Sequence, residues 1–355
     1  MKKILIMAGG TGGHVFPALA VAEELKTLGA TVEWLGTRKG IEADVVPKAN
    51  ILLHFLSVSG LRGKALLSLL KAPVNLTQAL IQSVKLLRQI KPDAVIGFGG
   101  FVSGPGAIAA KLLGIPLYIH EQNAIAGLTN RWLAPFAKEV FATFPDAFNR
   151  PVRVVGNPVR ASIAALPTPA LRFQERQGPL RLLVLGGSLG ALVINTEVPK
   201  AMALLSPDQR FEIWHQAGPK HADVTRNNYQ QAGVEARVES FIEDMAAAYA
   251  WADLVLCRAG ATTVTELMVA GVGSILIPYP HAVDDHQFHN ANFLSQAHAA
   301  MVIRQTEFNA QQLAGLLQVI QNRGRDGLLS EAIAARTIAK VDAAKVIAAV
   351  CVSEF

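Results

Sequence analysis

The sequence predicts an α/β fold of two Rossmann-like domains facing a central cleft, and three observations carry that prediction. A short apolar strand, residues 3–8 (KILIMA), runs into Gly9-Gly10-Thr11-Gly12-Gly13-His14 and then a helical pattern. Near mid-chain, residues 181–185 (RLLVL) run into Gly186-Gly187-Ser188-Leu189-Gly190-Ala191, again ahead of a helical pattern. The length, 355 residues, exceeds what one hydrophobic core usually organises. Each glycine turn lets backbone amides approach an anionic group at a helix N-terminus, as nucleotide phosphates require.

In the first half, strand patterns fall at residues 4–7, 31–35, 94–96, 116–120, 140–143 and 153–155. Helical patterns intervene, for instance over 17–28 and 78–89, which argues for a mostly parallel, doubly wound sheet. The second half repeats the alternation, with strands near 182–185, 211–215, 237–239, 254–257 and 274–278. Between them, Gly156-Asn157-Pro158-Val159-Arg160 leads into a loose stretch with Pro167, Pro169 and Gly178-Pro179, where a hinge is expected over 157–166. The expected domains are 1–160 and 161–335, with a helical tail, 336–355, packing back on the N-terminal domain.

Composition excludes several classes. Apolar residues make up 51% and charged residues 17%, the balance of a packed globular protein. Cys257 and Cys351 are too few for a disulfide framework or a cysteine zinc site, which suits a reducing compartment. The apolar run after Lys2-Lys3 stops at Gly9, too soon for a signal sequence. The longest uncharged stretch, 94–110, is broken by glycines and Pro105 and does not read as a membrane span.

The net charge of +6 is concentrated. Residues 45–92 contain no acid but carry Lys48, Arg62, Lys64, Lys71, Lys85, Arg88 and Lys91, interleaved with the apolar pieces 51–56 and 66–70. Two readings stand side by side: a basic, apolar surface for anionic lipid, or core residues beside a solvated helix face. Sparse aromatics argue against nucleic acid.

The chemistry gathers at strand ends. Dinucleotide spacing fails in the first loop, because Val15 stands where glycine or alanine is needed, and no acidic ribose partner follows the second strand at Gly36-Thr37-Arg38. No cofactor is expected. His14 begins a helix, where the positive helix end favours the neutral imidazole of a general base; the plainer alternative is a helix cap. His120-Glu121-Gln122-Asn123 follows a strand, so it reads as a site with some members bracing loops. The strand–turn–helix Cys257 to Glu266 suits phosphate and ribose, with Glu266 alternatively a first-turn carboxylate on the helix dipole. His281, Asp284, Asp285, His286 and His289 lack zinc spacing, and Gln287 reads as a sugar contact.

Taken in order, these segments resemble the MurG family of UDP-N-acetylglucosamine transferases. The likeness is carried by the loops at 9–14, 99–104 and 186–191, by His120-Glu121-Gln122-Asn123 and by residues 156–160, 241–245 and 257–266. It implies a GT-B fold, with the donor held mainly by the C-terminal domain. The acceptor would be lipid I, at the cytoplasmic face of the inner membrane, whose anionic surface the basic apolar segment would meet. By position, Thr11, Gly12 and Gly13 would approach the donor; Asn123, Arg160 and Ser188 would lie near the sugar and diphosphate. Ile242 would meet uracil through its backbone, and Ala261, Thr262, Thr263, Val264, Thr265 and Glu266 would hold phosphate and ribose. The reaction implied is inverting GlcNAc transfer with His14 as base and no metal. A same-fold UDP-GlcNAc 2-epimerase or hydrolase, or a membrane-surface nucleotide-binding module, is the alternative. Leu189 departs from the glutamine common at that loop position in the family.

Overall fold

The computed structural model describes residues 1–57 and 72–353. The chain divides into two compact units, Met1–Arg160 with Lys340–Phe355, and Ala161–Ala339.

The first unit is built on a parallel seven-stranded sheet. Its elements run β1 (Lys3–Ala8), α1 (Gly12–Thr27), β2 (Thr31–Gly36), α2 (Glu42–Lys48), β3 (Leu52–Phe55), α3 (Ala72–Ile90), β4 (Ala94–Gly99), α4 (Ser103–Leu112), β5 (Leu117–Glu121), α5 (Leu128–Leu133), β6 (Glu139–Ala142) and β7 (Arg153–Val154). The strand order is β3-β2-β1-β4-β5-β6-β7. Side chains of β1 alternate between two buried faces. Ile4, Ile6 and Ala8 join α1 residues such as Val15 and Val21 in one core. Leu5 and Met7 pack with Ala79 and Leu87 of α3 and Ala107 of α4 in another. A central parallel strand covered on both faces therefore reads as a continuous apolar run.

The second unit repeats the plan through α6 (Ala161–Ala164), α7 (Pro169–Phe173), β8 (Arg181–Leu185), α8 (Leu192–Leu204), β9 (Glu212–Gln216), α9 (Ala222–Gln231), β10 (Arg237–Glu239), α10 (Met245–Trp251), β11 (Leu254–Cys257), α11 (Ala261–Ala270), β12 (Gly273–Leu276), α12 (His286–Gln296), β13 (Ala300–Val302) and α13 (Ala310–Thr337). Its sheet order is β10-β9-β8-β11-β12-β13. The last helix, α14 (Ala343–Ser353), returns to the first unit, where Ile347, Ala348 and Cys351 are buried in the core of α1 and β1.

Three elements differ from the sequence reading. Residues 52–55 form edge strand β3 on β2; with Leu52 and Phe55 exposed, the strand lacks a clean apolar alternation. Strand β13, Ala300–Val302, follows an alanine-rich stretch and carries little β-propensity of its own. Helix α1 begins at Gly12, well before Pro17, because glycines that disfavour helix by propensity here supply its first turn.

Candidate active site

In each sheet the strand order reverses between two neighbours, β1 and β4 in the first unit, β8 and β11 in the second. Loops at such switch points diverge and leave a crevice beyond the strands' carboxyl ends. All the glycine-rich segments sit there. They are followed by α1, α4, α8 and α11, and none of these helices has a side-chain cap or an acidic residue in its first turn. Helices α10 and α13, by contrast, are capped by Asp244 and Asn309. The uncapped amides and positive ends are available to an anion, whereas a capped end has already spent that capacity.

In the first unit the loops after β1 and β4 touch. A Cβ on Gly100 (φ +84°) would lie 2.3 Å from the Gly9 carbonyl oxygen. A Cβ on Gly99 (φ +106°) would press the His14 ring, 3.1 Å from Cε1. Ser103 ties the second loop down, its Oγ donating to Gly99 O at 2.8 Å. The first loop is braced from below by Glu42, fully buried, whose carboxylate accepts from Gly10 N (3.0 Å), Thr37 N (2.8 Å) and Thr37 Oγ1 (2.7 Å).

His14 stands on the first turn of α1, with Nδ1 3.2 Å from Gln122 Oε1. Gln122 and His120 are buried. Gln122 Nε2 donates to Phe98 O (2.8 Å) and approaches His120 Nδ1 (3.2 Å), and His120 Nε2 bonds Gly156 O (2.9 Å). Burial pushes the His120 imidazole down to about 4, with neighbouring His14 adding to the effect against the opposing Gly156 bond. Glu121 braces the next turn, accepting from Asn123 N (3.0 Å), Gly127 N (3.0 Å) and Asn130 Nδ2 (2.8 Å). Arg160 stacks over the Phe16 ring at 5.0 Å, which brings its guanidinium beside the N-terminal turns of α1. Thr11, Gly12, Gly13, His14, Asn123 and Arg160 thus share one end of the first unit.

In the second unit Ser188 is exposed on the β8 loop, and Leu189 beside it is 77% exposed. Gln216, at the end of β9, donates to Gly187 O (3.1 Å) and accepts from Ile242 N (2.8 Å). The Ile242 amide is therefore already engaged within the protein. Ile242 lines a groove of about 660 Å³ that also has Trp214, Phe241 and Trp251 in its wall.

Helix α11 divides the six residues grouped by sequence. Ala261, Thr262 and Thr263 form the opening turn, but the Val264 amide bonds Gly260 O (2.9 Å) and Thr265 Oγ1 bonds Ala261 O (2.8 Å). Both Val264 and Thr265 are buried. Glu266 is not a first-turn carboxylate: it lies on the second turn, buried, accepting from Tyr249 Oη at 3.0 Å. The helix-dipole reading fails for that reason. Gln287, on α12, accepts from Tyr279 N through Oε1 (2.9 Å), and Asn290 ties α12 to Ala259 O (3.1 Å). Among the described residues, no three His, Cys, Asp or Glu side chains converge as a metal site requires.

Comparison with known proteins decides the family. Residues 4–142 match the glycosyltransferase family 28 N-terminal domain, and residues 181–347 match the family 28 C-terminal domain. The UDP-N-acetylglucosamine--N-acetylmuramyl-(pentapeptide) pyrophosphoryl-undecaprenol N-acetylglucosamine transferase of Cellvibrio japonicus (strain Ueda107) is 57% identical over 354 residues, covering 98% of this chain and 97% of the relative. The crystal structure of Acinetobacter baumannii MurG aligns with a TM-score of 0.86 at 40% identity, covering 99% of each chain. The chain belongs to the MurG family. Its architecture is GT-B, two parallel α/β domains, as the family likeness implied. A UDP-GlcNAc 2-epimerase from Neisseria meningitidis aligns with a TM-score of 0.67 at 15% identity, which shows shared fold alone.

Within this candidate site, sequence reasoning singled out loop groups together with some residues that prove buried, Val264, Thr265 and Glu266 among them, and it missed two polar side chains that brace the loops. Glu42 and Gln216 lay outside the segments considered, and only long-range contact reveals them. Gln122 and Glu121 were visible in the His120-Glu121-Gln122-Asn123 segment, where a run of polar groups at the end of a buried strand was the signal.

Proposed function

We propose that this protein transfers GlcNAc from UDP-GlcNAc to the muramyl 4-hydroxyl of lipid I, forming lipid II with inversion at the anomeric carbon. The observation that carries the reading is His14, set at an uncapped helix N-terminus between two glycine loops in a chain of this family. The acceptor hydroxyl attacks C1 of the α-linked donor in line. His14 takes the hydroxyl proton, the C1–O bond to phosphate breaks, and UDP leaves with the electron pair. Charge growing on the diphosphate is met by amides of Thr11, Gly12 and Gly13, by Ser188 and the opening turn of α11, and by Arg160. Those donors supply the stabilisation without a bound metal. Asn123 and Gln287 contact the sugar, the Ile242 carbonyl meets uracil, and Glu266 accepts from ribose. Residues 1–160 bind the acceptor and supply the donor contacts just named for them, while residues 161–335 hold most of the donor.

The same protein would work peripherally at the cytoplasmic face of the inner membrane. No helix among the described residues is long and apolar enough to cross a membrane. Ile81 on α3, Ile108 and Leu112 on α4, Trp132 on α5 and Phe136 just after it are exposed, as are Arg88, Lys111, Arg131 and Lys138, and Lys111 Nζ lies 6.0 Å from the Phe136 ring centre. Large apolar side chains rimmed by basic ones suit an anionic lipid surface. Only part of the segment expected from sequence to do this lies among the described residues, and within it Leu52 and Phe55 are exposed. Ile51 and Leu56 are core, while Arg62, Lys64, Lys71 and the apolar run 66–70 lie outside the described residues.

The test is transfer of labelled GlcNAc from UDP-GlcNAc to a lipid I analogue, with chelator present and an acceptor-free control. A disaccharide-lipid product is expected. Epimerised sugar or UDP in the control, with no transfer, would overturn the reading in favour of an epimerase or hydrolase.

A further inference from the structure

We infer that Gln122 is a positioning residue that sets the tautomer of His14, placing the ring proton on Nδ1 and the basic lone pair on Nε2. The inference rests on the reading of His14 as general base. The polar chain from His14 inward has one chemically consistent direction. One terminal atom of the Gln122 amide lies 2.8 Å from Phe98 O and 3.4 Å from His120 O. Main-chain carbonyls only accept, so that atom is the NH₂ group, and the atom facing His14 is the carbonyl oxygen. An oxygen 3.2 Å from His14 Nδ1 makes that nitrogen the donor.

The inner half of the chain agrees independently. His120 Nε2 lies 2.9 Å from Gly156 O, so it carries the proton and leaves Nδ1 to accept from Gln122 Nε2 at 3.2 Å. Burial keeps this imidazole neutral, so it does not become a double donor that would turn the glutamine round. Two main-chain carbonyls, Phe98 O and Gly156 O, therefore anchor a sequence of side-chain bonds that ends at the His14 ring. Gly99 lies close against the same ring, where a Cβ would stand only 3.1 Å from Cε1, so the β4 loop limits how far the ring can turn. A neutral imidazole without such a partner prefers the opposite tautomer, with the proton on Nε2, where it blocks proton abstraction.

Long-range nitrogen–proton NMR on protein labelled with ¹⁵N-histidine reads the tautomer directly, the His14 signals being those missing in His14→Ala. The expected parent spectrum has Nδ1 protonated and Nε2 bare. Gln122→Met is expected to shift His14 toward the Nε2–H form and to lower kcat on the order of 10²-fold, with KM for UDP-GlcNAc within about twofold. A parent His14 protonated on Nε2 overturns the inference without recourse to any variant. A Gln122→Met protein that keeps the parent tautomer overturns it as well. Failure of the underlying reading looks different: His14→Ala would then retain full turnover, whichever nitrogen carries the proton.

Discussion

Glu42 accepts the Gly10 amide at 3.0 Å, so a buried carboxylate on α2 holds the phosphate-type loop that follows β1. The space is reserved for it, since a Cβ on Gly9, Gly36 or Gly40 would each strike the Glu42 side chain. With Gly10 N–H turned inward to Glu42, the amides of the following turn remain to face a ligand. Replacing Glu42 by alanine strands the Gly10 and Thr37 donors and is expected to cost about 3 kcal/mol, the scale of lost hydrogen bonds to a buried charge. Urea unfolding measures this. A midpoint equal to the parent's would show that the loop holds itself.

The His14 ring lies on the outer end of a polar chain and at the start of a helix, and the proposed reaction uses it as the base. His14→Ala should lower turnover on the order of 10²–10⁴-fold while UDP affinity, read by calorimetry, stays near the parent value. Equal losses in turnover and in UDP affinity would make His14 a binding residue instead.

Two buried histidines couple stability to pH. Burial lowers His120 to about 4 and His215, bonded to Tyr229 and Asn195, to about 3. Above pH 6.5 both are neutral folded or unfolded. As pH falls below that value the unfolded chain takes up protons that the folded protein refuses, so stability drops until each folded pKa is passed. For His120 alone the loss between pH 7.5 and 5 is about 2 kcal/mol. Urea titrations at those two pH values should show it, and His120→Gln should shrink the difference by about that amount, leaving the His215 share; a difference unchanged in the variant would mean that His120 does not contribute.

The apolar, basic face of α3, α4 and α5 predicts selective lipid binding. Trp132→Ser combined with Ile108→Ser should weaken sedimentation with phosphatidylglycerol vesicles at least about tenfold. Turnover on a water-soluble acceptor should be untouched. Equal binding of parent and variant would place the membrane contact on another surface.

By itself the sequence determined the two parallel α/β halves, because central strands buried on both faces must read as unbroken apolar runs ending at glycine. It also led to the proposal that Thr11, Gly12, Gly13 and the opening of α11 meet anions, since glycine turns feed those helices. Only the tertiary structure decided which polar residues face out and which brace from within. Gln122 and Asn123 are adjacent and similar, yet one is buried against Phe98 O while the other lies at the turn. Glu42 and Gln216 reach loops far from them in sequence, so no local pattern marks them. Val264 and Thr265 belong to a ligand-binding helix start by sequence and to its interior by helical rotation. Local propensity and periodicity set elements and their ends; the direction of each side chain is set by what the rest of the chain packs against it.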